Sequence, residues 1–260
     1  MKIRTILLIL LATLLFASCG SEYRLANRFI DQSQGIQVAV YFPEEAQVTL
    51  VQDEDGSYTN ALDSVNQDLF LDIMYAAYAD ELGRYGLNVY IPEESDTIPM
   101  DARHWLVILS KVEIQGLYTD HVDQLFDFTD DYAYTFSLNT VNVASWFDIN
   151  DGEWQPTLFD EYNLTDQFDS YVTRSRKDGV QYHYNITPMK TKDVYDFAVF
   201  LGKRYAAFTY DQMMNRYVAT LMGTKGQTPR FKLRWDPYDK TFYFRINDEG
   251  FIEITPEPSI

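Results

Sequence analysis

The residue types that most often carry out chemistry are sparse in this sequence, and their spacing favours binding over catalysis. A zinc site needs His, Cys and carboxylate ligands close together, but His104, His121 and His183 lie far apart and Cys19 is the only cysteine. The Gly-x-Ser-x-Gly pattern of a serine nucleophile and the glycine spacing of a phosphate loop are also missing. No catalytic residue, metal ligand or cofactor is therefore predicted.

Carboxylates could form two kinds of site. Residues 148–153 carry oxygen-bearing side chains at alternate positions, as calcium loops do. The glycine comes one place early, however, and Phe159 stands where the bidentate Glu would be. We interpret the segment as a turn, as we do residues 53–56 and 247–250.

A hydrolase that uses two carboxylates is the least favoured function, because 39 acidic residues offer many pairs and no distinctive one.

Aromatic side chains are the feature with a plausible use in binding, since they make up 16% of the chain. Tyr and Trp rings stack on sugars and anchor protein interfaces. Trp146, Trp154 and Tyr118 lie near predicted loops and are the candidate residues for binding a ligand or partner. Packing within β-sheets explains most of the other aromatic residues.

Three further features concern the protein surface. Residues 63–65 and 96–98 resemble the O-glycosylation sites of exported Bacteroidota proteins, which makes Ser64 and Thr97 candidate acceptors. For Ser64, capping of the following helix is the simpler role. Residues 169–179 hold a local basic cluster, Arg174, Arg176 and Lys177, that is unusual in so acidic a chain.

The first residues determine where the protein works. Lys2 and Arg4 precede an apolar run over residues 6–16, and Phe16-Ala-Ser-Cys19 follows. The run is too short to span a bilayer, which takes roughly 20 residues, but it suits a secretory signal. It resembles the signal peptide and lipobox of a bacterial lipoprotein. The resemblance implies cleavage before Cys19, acylation of that residue and attachment to the outer membrane. It does not distinguish the periplasmic face of that membrane from the surface face.

Charge limits the classes of partner. Without Lys2 and Arg4 the mature chain has 21 − 2 = 19 basic and 39 acidic residues, a formal charge of about −20. Such a field repels phosphate backbones and anionic head groups. We therefore expect no binding to nucleic acid and a membrane contact made by lipid alone. Hydrophobic residues form 46% of the chain, which predicts a folded protein with a large core.

Two helices are predicted from the hydrophobic period. Apolar residues recur at helical spacing over residues 60–85, where Gly86 suits a left-handed C-terminal cap. A second helix is predicted over residues 193–221, with Gly223 past its end. Residues 19–34 are interpreted as a lipid-attached tether that includes a short amphipathic turn.

Strands are predicted for most of the remaining chain. Residues 36–42 and 47–51 are expected to form a hairpin, and residues 87–91 and 104–115 form two more strands. Residues 120–131 lack a period and are predicted to be a loop. Three strands over residues 231–254 suggest a C-terminal meander. The predicted class is α+β.

Residues 35–116, with their order of strand, helix and two strands, look like the α/β domain of envelope auxiliary lipoproteins such as transporter-auxiliary and curli-secretion subunits. Residues 137–147 also resemble uncharacterised lipoproteins of the Bacteroidota. Residues 35–260 are predicted to form a single domain or two subdomains divided near residues 120–130.

The leading hypothesis is a non-catalytic, lipid-anchored envelope protein that binds a protein partner or helps to assemble a complex. The alternative is a surface lipoprotein that binds a glycan through exposed Trp and Tyr residues.

Overall fold

The computed structural model describes residues 21–50, 61–93, 97–99, 101, 103–126, 131–177, 179–224, 231–246 and 252–254. Cys19 and the predicted turns at 53–56 and 247–250 lie outside these ranges. The described helices are α1 (21–33), α2 (Gln67–Arg84), α3 (Thr191–Met222) and a 3₁₀ helix (Ala61–Ser64). The strands are β1 (Gln37–Tyr41), β2 (Gln47–Leu50), β3 (Asn88–Tyr90), β4 (His104–Phe126), β5 (Asp131–Asn150), β6 (Thr157–Thr165), β7 (Gln167–Ser175), β8 (Gly179–Thr187), β9 (Phe231–Asp236), β10 (Thr241–Ile246) and β11 (Ile252–Ile254).

A seven-stranded mixed sheet forms the centre of the fold, so the α+β prediction is confirmed. Its order is β11-β6-β5-β4-β1-β3, and β2 pairs with the middle of β4, residues 113–116. The pairs β4–β5, β5–β6 and β6–β11 are antiparallel, whereas β1 is parallel to both β3 and β4. The hairpins β7–β8 and β9–β10 form separate two-stranded sheets.

The two long helices form where the hydrophobic period predicts them. The side chain of Asn66 caps α2 by accepting a hydrogen bond from the Leu69 N–H at 3.0 Å. Gly86 follows α2 with a φ of +84°, and Gly223 ends α3 with a φ of +70°. Both glycines have the left-handed conformation predicted for them, which a residue with a Cβ adopts at a cost.

The helices cover one face of the sheet. Tyr205 of α3 packs on Phe147 of β5, with their ring centroids 4.8 Å apart, and its hydroxyl donates to Ser145 Oγ at 3.0 Å. α2 lies against α3, where the Tyr78 hydroxyl donates to Thr209 Oγ1 at 3.1 Å. Each buried hydroxyl thus has a partner, which avoids the cost of an unsatisfied polar group in the core. No helix among the described residues has both the length and the apolar content needed to cross a bilayer.

α1 corrects the prediction of a tether. Ala26 is fully buried and Phe29 is 3% exposed, with the Phe29 ring 5.4 Å from those of Tyr210 and Tyr217. Ser33 Oγ lies 3.2 Å from the Tyr210 hydroxyl. Residues 21–33 are therefore part of the folded body, because their apolar side chains complete the surface of α3.

Three strand predictions are wrong. β1 and β2 do not pair with each other, since both lie parallel to β4. The middle of β1 is buried on both faces, as is typical of an internal parallel strand with neighbours on both sides. β11 pairs with β6 instead of completing a meander, because it covers what would otherwise be an open sheet edge.

Residues 120–126 and 131 continue β4 and β5 instead of forming a loop. The proposed division near residues 120–130 falls within this hairpin.

Candidate functional site

The candidate site is an arm that extends beyond the central sheet. The β5–β6 pairing ends where Thr140 meets Thr165. Beyond it, residues 118–126 of β4 and 131–139 of β5 continue as a two-stranded projection. The hairpin β7–β8 lies beside that projection. We call the projection and β7–β8 together the arm.

Asp166 fixes the base of the arm. Its side chain is 4% exposed, and Oδ2 accepts hydrogen bonds from the backbone N–H and the side-chain amide of Asn139 at 3.0 and 2.9 Å. Oδ1 accepts from the N–H of Met189, beyond the end of β8, at 2.7 Å. Hydrogen bonds from three donors to one buried, charged carboxylate are strong. Asp166 therefore ties both ends of the β7–β8 hairpin to β5.

Aromatic rings join the two hairpins of the arm. The Phe136 ring centroid lies 5.5 Å from that of Phe168 and 5.2 Å from that of Tyr184. His121 lies 4.5 Å from Phe168 by the same measure. These contacts fall within the range of favourable aromatic pairs. The hairpins thus meet through their side chains and not through backbone pairing.

β7–β8 is amphipathic. Residues opposite each other in an antiparallel pair point to the same face, and the register pairs Phe168 with Ile186 and Val172 with Tyr182. Toward the tip of this face, Val172 and Val180 are 39% and 41% exposed. The apolar face carries Phe168, Val172, Val180, Tyr182, Tyr184 and Ile186 together with Ser170 and Arg174, and the opposite face carries Gln167, Asp169, Tyr171, Thr173, Gln181, His183, Asn185 and Thr187. The apolar face is only partly covered by the projection.

The tip of β7–β8 carries the basic cluster noted in the sequence. Arg174, Arg176 and Lys177 are all exposed, in a chain whose formal charge is −18. Cationic side chains beside exposed Val and Tyr residues can make charge-assisted contacts around an apolar centre, as protein interfaces do. The arm therefore combines the two elements of an interaction surface.

The three aromatic candidates do not meet. Trp146 and Phe147 are neighbours in β5, so their side chains point to opposite faces of the sheet and Trp146 points away from the helices. The Trp146 ring contacts that of Phe159, with their centroids 5.0 Å apart. Trp154 packs under the Arg216 guanidinium, which lies 5.4 Å from the ring centroid. Tyr118 pairs with Asn139, seven residues along β5 from Trp146 and about 23 Å away. The structure offers no shared platform for these residues.

The calcium-like segment is a turn only in its second half, because residues 148–150 are the paired end of β5. Asp151 Oδ1 accepts from the N–H groups of Glu153 and Trp154 at 2.9 and 2.7 Å. Its Oδ2 accepts from Arg216 Nε at 3.0 Å. The carboxylate thus orders the turn through Oδ1 and attaches it to α3 through Oδ2. In the described ranges, no group of three or more His, Cys, Asp or Glu side chains is placed to hold a metal ion.

The remaining candidates are separated in space. His183 lies within β8, as predicted, with Nε2 2.8 Å from Thr173 Oγ1. His104 bonds to Asp101 at 2.8 Å, and this hydrogen bond lowers the pKa of Asp101. Ser64 does not cap α2, because Asn66 does; its hydroxyl lies 2.6 Å from Thr191 Oγ1. Thr97 is exposed, and its glycosylation, like that of Ser64, stays a prediction.

Buried acidic side chains have structural partners. Asp160 forms a two-pronged ion pair with Arg204 at 3.1 and 3.0 Å, Asp211 pairs with Arg234, and Glu81 accepts from the Tyr238 hydroxyl. Breaking such a pair leaves a buried charge without compensation, which is costly. These acids therefore hold α3 to the sheet and the β9–β10 hairpin to the helices.

A small cleft lies at the carboxyl end of β1, the edge where α/β proteins often bind ligands. Its volume is about 250 Å³, and Phe42 and Tyr75 form part of its wall with ring centroids 5.2 Å apart. Glu44, Asp68 and Asp72 also line it. Aromatic rings and carboxylates without a lining cation suit a small hydroxyl-rich or cationic molecule.

Sequence reasoning missed the arm residues Phe136, Phe168, Val172, Val180 and Tyr184. A signal was present, because apolar residues alternate from Val180 to Ile186 directly after an Asp-Gly pair. That pair is typical of a hairpin turn.

Comparison with known proteins identifies no relative by sequence. No protein-family model matches the chain, and no curated protein sequence matches it. One solved structure with some likeness is described as a neuraminyllactose-binding hemagglutinin homolog from Helicobacter pylori. It shares 9% sequence identity with a TM-score of 0.35, over 73% of this chain and 91% of that chain. A likeness at this level assigns neither fold nor function.

Proposed function

We propose that this protein is a non-catalytic, lipid-anchored outer-membrane protein of the Bacteroidota type that binds an envelope protein partner through the arm. The observation that carries the proposal is the partly exposed apolar face of β7–β8 beside a basic tip. An isolated two-stranded hairpin is marginally stable in water. A partner that covers Val172, Val180 and Tyr184 would remove apolar area from water and stabilise the arm.

The position of the arm supports this role. α3 is about 48 Å long, given its 32 residues and a rise of 1.5 Å each. The arm is attached near its start, where Met189 bonds to Asp166. α1 packs against its second half, where Gln32 accepts from the Tyr217 hydroxyl. Since α1 packs away from the arm, we expect a lipid on Cys19, which precedes this helix in the sequence, to leave the arm open to a partner.

Replacement of the lipidated residue tests the anchor. We expect Cys19→Ala to move the protein from the membrane fraction to the soluble fraction, because it removes the only acylation site. The far-ultraviolet circular dichroism of the released protein should match that of the wild type. Retention of the variant in the membrane fraction would contradict the proposed anchor.

Photo-crosslinking in intact cells tests the arm. A photoreactive residue at Val180, on the apolar face, should give a crosslinked product whose second component mass spectrometry identifies. Gln181 provides the matched control, because it is the next residue and points to the opposite face of the same hairpin. We expect at least about a fivefold higher yield at Val180, since the centre of an interface excludes water and its rim does not. Recovery of uncrosslinked monomer from both positions would exclude the arm as the binding surface.

A further inference from the structure

We propose that the cleft at the carboxyl end of β1 binds a small aliphatic ammonium compound, such as a diamine. The cleft is separate from the arm, because none of the described residues that line it belongs to the arm. Binding there is therefore a second function, and it holds or fails independently of the role of the arm.

Two walls form the cleft. On α2, the lining residues Asp68, Leu71, Asp72 and Tyr75 recur at spacings of one, three and four, which places them on one face of the helix. The opposite wall is the chain that leaves β1, residues 40–44. The ligand would thus lie between the first half of α2 and the end of a buried strand.

The topology of the sheet favours a ligand at this position. β1 lies between β3 and β4 and is parallel to both, so the chain moves from one side of β1 to the other as it passes from β3 to β4. Ligands bind in crevices outside the carboxyl ends of strands where the strand order reverses in this way. The cleft lies outside the carboxyl end of β1.

Carboxylates dominate the polar lining. Glu44 lies on one wall and Asp68 and Asp72 lie on the other, and all three are exposed. Among the described residues that line the cleft there is no Lys, Arg or His. The buried acids Asp160 and Asp211 differ in this respect, because each forms an ion pair with an arginine. A positive ligand would supply the charge that the walls of the cleft lack.

The arrangement suits an organic cation and not a metal ion. Within the ranges that the structure describes, no three His, Cys, Asp or Glu side chains are placed to hold a metal. An ammonium group needs no such convergence, because it has three hydrogen-bond donors that can reach separate acceptors. Carboxylates only accept hydrogen bonds. The donors of an ammonium compound therefore match the acceptors of the walls.

Aromatic rings provide a second kind of contact. The Phe42 ring is held from two sides, since its centroid lies 5.2 Å from that of Tyr75 and 5.8 Å from that of Tyr78. Burial raises the pKa of Tyr75 above the ordinary value for tyrosine, which indicates that water is partly excluded from this side chain. Cations are attracted to the faces of such rings, and more strongly where water is excluded.

Apolar side chains favour a ligand with a hydrocarbon chain. Leu71 and Pro43 line the cleft together with Ile91, which is 63% exposed. A hydrocarbon chain that covers Ile91 would remove apolar area from water. The cleft volume of about 250 Å³ is below the usual range for ligand pockets, roughly 300–1,000 Å³. The ligand is therefore small, and an aliphatic diamine combines the required charge with an apolar middle.

Calorimetric titration of the full-length protein in detergent micelles tests the site, with butane-1,4-diamine as the probe. We expect saturable binding of one molecule per chain. Butane-1,4-diol has the same carbon chain with neutral hydroxyls, so it should bind at least about tenfold more weakly. Lack of saturable binding of the diamine, or equal binding of the diol, overturns the proposal.

Removal of charge from both walls provides the second measurement. Glu44→Gln with Asp72→Asn should raise Kd for the diamine at least about tenfold, because it removes one carboxylate from each wall. Asp31→Asn with Asp239→Asn is the matched control, since it changes the net charge equally at exposed positions outside the cleft. The control should change Kd less than about twofold. An equal effect of the two pairs would mean that the diamine responds only to the overall negative charge, which overturns the site.

Substitution of Tyr75 tests the aromatic contact. Tyr75→Phe keeps the ring and should bind the diamine with the affinity of the wild type. Tyr75→Leu removes the ring and should raise Kd at least about threefold, because the cation–π attraction is lost. Far-ultraviolet circular dichroism checks that both variants are folded. Equal affinities of the two variants would contradict a cation over this ring.

Discussion

Gly202→Ala is expected to destabilise the protein by about 2 to 3 kcal/mol, although alanine favours helices over glycine by about 1 kcal/mol. Gly202 lies where α3 crosses α2. A Cβ at this position would lie 2.3 Å from the carbonyl oxygen of Met74 and 3.0 Å from the backbone nitrogen of Tyr78. Backbone atoms of a buried helix cannot move aside as a flexible side chain can, so the helices must separate.

Thermal unfolding measures the effect. A loss of this size should lower Tm by roughly 5 to 10 °C in a chain of this length. Gly83→Ala is the matched control, because Gly83 lies in α2 and an added Cβ there meets nothing within 4 Å. We expect that variant to be as stable as the wild type or up to about 1 kcal/mol more stable. Equal effects of the two substitutions would contradict the close helix contact.

The folded protein should lose stability steeply above pH 10. Burial raises the pKa of Tyr78, Tyr85 and Tyr205 above the ordinary value for tyrosine and raises the pKa of Tyr210 to about 12. Each raised pKa contributes stability that is complete below pH 10 and is lost as the pH rises through the folded value. For Tyr210 alone the loss by pH 12 is about 3 kcal/mol, since one pKa unit is worth about 1.4 kcal/mol. Lys232 acts in the opposite direction, because burial lowers its pKa and favours folding as the pH approaches 10.5.

Urea unfolding at pH 8, 10 and 11.5 would test this expectation. The free energy of unfolding should fall between the last two values, and the absorbance of tyrosinate should appear together with unfolding. Tyr210→Phe should reduce the pH dependence, whereas Tyr171→Phe should not, because Tyr171 is 62% exposed. A free energy that stays constant up to pH 11.5 would show that the four tyrosines ionise without unfolding.

The sequence predicts the elements whose determinants are local. The period of apolar residues locates α2 and α3, and Gly86 and Gly223 mark their ends because only a left-handed residue can close each helix in this way. The α+β class follows from the same patterns. These features depend on residues a few positions apart.

The elements that sequence reasoning misses depend on distant partners. Nothing near β1 indicates that it pairs with residues 104–108 instead of with β2. The strand over residues 120–126 has no clear period, because its stability comes from the pairing with residues 131–137 and from contacts such as that of His121 with Phe168. Trp146 and Trp154 are close in the sequence but separated in space. Their separation follows from the alternation of side chains along β5 and from the contact of Trp154 with Arg216, and nearby residues reveal neither.

The continuity of β4 has a mechanical consequence. The strand has 23 residues, about 75 Å if fully extended, and its first part lies within the body while its last part lies in the arm. A pull on the arm along this axis would load the hydrogen bonds of β4 with β1 and of β5 with β6 side by side and in shear. It would therefore be resisted by many bonds at once and passed to β1 and the helices, so that the arm and the body respond to force as one stiff unit.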